Sequence, residues 1–95
     1  MKKYIILIPI YNDRESLTKL IEDINFEAKS LNAEISVIII NDASSQQIID
    51  KYQNTENINS IEIINMKENR GHARCIASGL KYIFEKKEFD YVIPM

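Results

Sequence analysis

The chain has 95 residues, 45 % hydrophobic and 27 % charged, enough for one small globular domain or a piece of a larger one, and too apolar for a disordered tail. Its formal net charge of −2 offers no general attraction to nucleic acid or to an anionic membrane. A single cysteine, Cys75, excludes an intrachain disulfide and points to a reducing, cytoplasmic setting. No apolar run reaches the roughly 18–20 residues that span a bilayer.

Met1-Lys2-Lys3 followed by Tyr4–Ile8 mimics the start of a signal peptide. Its apolar part is too short, however, and Pro9, Asn12, Asp13 and Arg14 interrupt it without a small-residue cleavage site. Tyr4–Ile8 is therefore expected to be a first strand, buried on both faces. Asn12 and Glu15 have capping-box spacing, and Leu17, Leu20, Ile21, Ile24, Ala28 and Leu31 recur at helical spacing, which predicts a helix over 13–31. Ile35–Ile40 is the second strand, followed by the polar turn Asn41–Ser45 and a shorter helix around 46–53. A loop over Gln53–Ser60 leads to a third strand, Ile61–Ile64. The polar turn Asn65–Arg70 precedes a helix over about 72–87 with Ala73, Ile76, Ala77, Leu80, Ile83 and Phe84 on its inner face. Tyr91–Met95 begins a fourth strand, in which Pro94 is awkward because it donates no ladder hydrogen bond.

The order βαβαβαβ, with strands too apolar to alternate, predicts a three-layer α/β/α domain with a mostly parallel sheet over residues 1–95. In such sheets a ligand sits beyond the carboxyl ends of the strands, where the strand order reverses. Those ends carry Pro9-Ile10-Tyr11-Asn12-Asp13, Asn41-Asp42-Ala43-Ser44 and Asn65 to Gly71. With only Gly71 and Gly79, the chain lacks both the glycine-rich turn of dinucleotide folds and a Walker-type loop. A receiver-type phosphoacceptor domain is disfavoured because Asn65 stands where it needs an acid.

These three segments, the last as Asn69-Arg70-Gly71-His72 with Ala77 and Gly79-Leu80 beyond, resemble the N-terminal signatures of family 2 glycosyltransferases. The resemblance covers the whole chain and implies the nucleotide-diphosphosugar-binding, Rossmann-like half of the GT-A fold. It implies that Pro9 and Tyr11 wall the base pocket, ring area coming from the tyrosine and a fixed φ from the proline. Asp42 matches the aspartate that accepts a hydrogen bond from the ring N–H of a base, commonly uracil or guanine, so a UDP- or GDP-type sugar is the expected partner. Asn41 stands where the family often has a first aspartate, and Ala43 where glycine is frequent. Gly71 permits close backbone approach, and the Asn69–Arg74 segment brings amides, with Lys67, Arg70 and Arg74, towards the diphosphate. Asn69–His72 with Gly79-Leu80 is most like members that transfer sugars to polyprenyl phosphate.

Plainer roles stand beside these. Tyr11 either lines a site or covers the sheet edge, and Asp42 either binds the base or caps a turn. Arg70 and Arg74 are donor contacts or solvated charges. His72 is expected to cap or pack the helix start, Cys75 to be a small helix residue rather than a nucleophile, and Lys86-Lys87-Glu88 a solvated helix end. In the family a D-x-D segment follows the fourth strand and holds a divalent cation, Mg²⁺ or Mn²⁺, on the diphosphate. That segment and the catalytic base carboxylate would lie beyond Met95, so no catalytic residue or metal ligand is assigned. The chain is expected to be the donor-binding part of a longer inverting enzyme, inactive alone, with an acceptor that the sequence does not identify. The alternative is a non-catalytic nucleotide-binding or assembly module of the same fold. A cytoplasmic location is expected, the cytoplasmic face of the membrane included for a longer protein. The fourth strand leaves an apolar sheet edge, which predicts a homo-oligomer.

Overall fold

The structure, a computed structural model, describes residues 1–44, 52 and 55–95. In chain order these form β1 (Lys2–Ile10), α1 (Arg14–Ala28), β2 (Ala33–Asn41), β3 (Ser60–Asn65), α2 (His72–Lys86) and β4 (Tyr91–Pro94). The helix expected around 46–53 falls on residues outside those described, Tyr52 excepted. The strands make one sheet of order β3-β2-β1-β4, parallel throughout.

Side-chain alternation divides the core into two layers. Ile6, Ile8, Ile10, Ile35, Val37 and Ile39 face α1, where Leu17, Ile21, Ile24 and Ala28 meet them. Ile5, Leu7, Ile38 and Ile40 face α2 and pack on Cys75 and Ile83. Helices on both faces explain why β1 and β2 are continuous apolar runs. Each fully buried Leu or Ile here, such as Leu7 and Ile39 at 0 % exposure, contributes about 1.5–3 kcal/mol of burial. The strands run longer than their apolar cores: Lys2 and Lys3 pair with Ala33 and Glu34. Backbone pairing requires no apolar side chain, so sequence pattern underestimates strand length.

The two prolines sit where the ladder tolerates them. The Leu7 carbonyl accepts from Met95 N–H at 2.9 Å, so Leu7 and, two residues on, Pro9 turn their backbone groups towards β4. Pairing with β4 ends at Leu7 and Pro94, and Pro9 has no N–H to carry the ladder further. In β4 the same bond turns Ile93 and Met95 to β1 and Pro94 to the outer edge, where a missing donor costs no ladder bond.

Helix boundaries and faces depart from expectation in instructive ways. The N-cap of α1 is Asp13, whose side chain accepts from Ser16 N–H at 3.4 Å, and not Asn12, which adopts φ 51°. The helix ends at Ala28 rather than 31. There the Ser30 and Leu31 amides turn back to the carbonyls of Glu27 and Ala28, leaving Leu31 55 % exposed. On α2 the buried stripe is Cys75, Gly79 and Ile83, flanked by Ile76, Leu80 and Tyr82. Ala73, Ala77 and Phe84 are exposed. Gly79 decides this: its missing side chain lets the helix axis lie directly over Leu7. The other end of α2 is pinned to β3, since Tyr82 Oη donates to the Glu62 carboxylate and Lys87 Nζ lies 3.0 Å from it. Lys87 is thus tied down rather than simply solvated.

Candidate functional site

The strand order places β1 between β2, reached over one face, and β4, reached over the other. The switch point lies at the carboxyl ends of β1 and β4, where open α/β sheets hold ligands. Three turns leave this carboxyl edge of the sheet, after β1, β2 and β3, and each contains a left-handed residue: Asn12 (φ 51°), Ala43 (φ 59°) and Gly71 (φ 86°). Glycine and asparagine adopt this conformation readily, whereas alanine pays about 1–2 kcal/mol. Ala43, at the position where the resemblance leads one to expect glycine, keeps the sharp turn and carries its strain.

Polar side chains lace the turns together. Asp42 N–H donates to Ile10 O at 2.9 Å, and Asn12 N–H donates to Ser44 Oγ at 2.9 Å, which joins the first turn to the second. The Asn41 side chain accepts from Ser44 N–H at 3.1 Å and donates to Asn65 Oδ1 at 2.9 Å. The Asn41 amide is thus one link between the second turn and the third, beside the Met66 N–H that donates to Asn41 O at 2.9 Å.

Asp42 is the centre of the arrangement. It is only 4 % exposed, and its two oxygens accept from successive amides, Arg70 N–H at 2.7 Å and Gly71 N–H at 2.9 Å. The Arg70 amide holds the carboxyl below its ordinary value. Burial opposes this, and the Cys75 thiol, the Gly71 amide and the Arg70 charge assist. The Cys75 thiol is itself pushed up to about 11, by burial first and then by its hydrogen bond to Asp42 and that group's charge. At neutral pH it stays protonated, as a donor.

Pro9, Ile10, Tyr11, Asp42, His72 and Cys75 line a small open pocket of about 80 Å³. Complete small-molecule sites typically measure about 300–1,000 Å³, so this pocket accommodates a ring edge rather than a whole nucleotide sugar. The structure thus brings Pro9, Tyr11 and Asp42 together, with the Gly71 amide on Asp42. Arg74 is exposed and lies outside the pocket lining, and Arg70 pairs its guanidinium with Glu68 at 2.6 Å. His72 neither caps α2, whose N-cap Gly71 has no side-chain cap bond, nor packs in the core; it is exposed and lines the pocket. Pattern reading missed His72 and Cys75 as wall residues. The available signal was their place in the first helical turn after a strand end, one helical turn apart on the same side.

Among the described residues no group of three His, Cys, Asp or Glu side chains is placed to hold a metal, and the oxygens of Asp42 already face amides. Among the described residues, therefore, no donor set fits the divalent cation implied by the resemblance. No helix among the described residues is long and apolar enough to cross a membrane.

A parallel sheet with helices on both faces and polar turns along its carboxyl edge defines the class: a Rossmann-like α/β domain. Residues 5–95 match the family described as Glycosyl transferase family 2, and the chain belongs to that family. No solved structure matches it.

Proposed function

We propose that this chain is the donor-binding part of an inverting glycosyltransferase that uses a UDP- or GDP-type sugar. The observation that carries the reading is Asp42: a buried carboxylate, held ionised, in the wall of a pocket that also contains the Tyr11 ring. The Arg70 and Gly71 amides and the Cys75 thiol leave one lone pair of the carboxylate for a ligand. A ring N–H of uracil or guanine is the donor that suits it, with Tyr11 and Pro9 against the base. Gly71 lies beside Asp42 and leaves open space where a side chain would stand, so the backbone is free for close approach. Arg74, exposed at the start of α2, is a longer-range contact for the diphosphate in this reading.

In an inverting transfer a base deprotonates the acceptor, which attacks the anomeric carbon opposite the departing nucleotide. No residue of this chain is assigned that base, and the cation is assigned to none of the described residues. The chain alone is therefore expected to bind donor without transferring sugar. The likeness of Asn69–His72 and Gly79-Leu80 to polyprenyl-phosphate members favours that acceptor. Exposed Tyr91, Ile93 and Met95 support self-association along β4, although Pro94 has no outward N–H for strand addition. A monomer in sedimentation at high concentration refutes that association.

Titration of the chain with UDP- and GDP-sugars, with and without Mn²⁺, tests the donor reading. Amide shifts at Tyr11, Asp42 and Gly71 are expected. No binding at millimolar ligand overturns it.

A further inference from the structure

We propose that His72 is a base-reading residue, the donor that complements Asp42 as acceptor. The inference rests on the donor reading above and deepens it. Apart from Asp42 and the Cys75 thiol already bonded to it, Tyr11 and His72 offer polar or π surface to the pocket. The His72 imidazole is uncommitted among the described residues: no hydrogen bond, ion pair or ring contact engages it, and it does not cap α2. Asp42, by contrast, is oriented by two amides, and one of those belongs to Gly71, the residue before His72. The carboxylate and the imidazole are therefore held on one wall through a single peptide link.

The chemistry of the bases fits this pair. Uracil and guanine each carry a ring N–H directly beside a carbonyl oxygen, a donor next to an acceptor. Cytosine and adenine present an unprotonated ring nitrogen at the corresponding edge. An ionised carboxylate only accepts, and an imidazole N–H donates. Asp42 takes the ring N–H while His72 donates to the adjoining carbonyl. The pocket, about 80 Å³, is of a size to take that edge and leave the ribose and diphosphate outside. Buried polar groups left unpaired by the wrong base are what make such a pair selective.

The experiment is calorimetric or NMR titration of the chain and its His72→Ala and His72→Gln variants with UDP, GDP, CDP and ADP. The wild-type chain is expected to prefer UDP or GDP. His72→Ala should weaken the preferred nucleotide roughly three- to tenfold, the loss of about one neutral hydrogen bond, while CDP and ADP are unaffected. His72→Gln, which retains an N–H donor, should recover most of the preference. Equal binding by wild type and His72→Ala overturns the inference, as does equal weakening of all four nucleotides. If His72→Ala does not fold, His72→Gln and the wild-type imidazole resonances decide: these must shift on binding the preferred nucleotide, and their failure to shift overturns the inference. Absence of binding by wild type to any of the four overturns the donor reading instead, and so is distinguishable.

Discussion

Replacing Gly79 by alanine tests the packing that positions α2. A Cβ at Gly79 meets Leu7 Cδ1 at 2.5 Å, Cδ2 at 2.9 Å and Cγ at 3.2 Å. Leu7 is fully buried on a strand paired on both sides, so neither partner has free space to yield into. Overpacking of this kind costs about 1–3 kcal/mol. Alanine in a helix interior returns about 1 kcal/mol relative to glycine. The expected result is a net loss of roughly 1 kcal/mol, read as a lower urea midpoint at unchanged slope. Leu7→Val removes both of the closest atoms at a cost of about 1 kcal/mol. In that background Gly79→Ala should become neutral or stabilising. Equal effects in the two backgrounds, or a stabilised single variant, refute the claim that contact with Leu7 makes the glycine necessary.

Ala43→Gly relieves a left-handed alanine and is expected to raise stability by about 0.5–1 kcal/mol in urea unfolding; a loss counts against strain at that turn. The Asp42 carboxyl is depressed in the fold, so its contribution to stability is fully present above the ordinary carboxylate range and is lost as pH falls through the lowered value. Asp42→Asn should flatten that acid limb and speed amide exchange at Arg70 and Gly71; an unchanged pH profile with unchanged exchange contradicts the clamp. The Cys75 thiol, raised to about 11 and fully buried, should resist alkylation at neutral pH until urea unfolds the chain. Rapid labelling of the native protein excludes the buried donor role.

How much of this was legible in the sequence depends on whether a property is local. Tyr4–Ile8 and Val37–Ile40 declared buried strands because both faces of each must be apolar. The positions of Pro9, Tyr11 and Asp42 at strand ends followed from element order alone, as did membership of one three-layer α/β/α domain. Which strands become neighbours did not follow: backbone donors and acceptors are the same in every strand, so the order β3-β2-β1-β4 emerges only when the helices cover both faces. Local competition moved the α1 cap from Asn12 to Asp13, because Asn12 was needed in the left-handed turn that donates to Ser44. Hydrophobic periodicity put Ala73 and Phe84 inward, but a glycine carries no hydrophobic signal, and it was Gly79 against Leu7 that set the rotation of α2. That rotation buried Cys75 beside Asp42 and left His72 at the pocket mouth. The sequence by itself determined the elements and the chemistry available at their ends; only the packed sheet decided which of those groups face one another, because that depends on contacts between residues far apart in the chain.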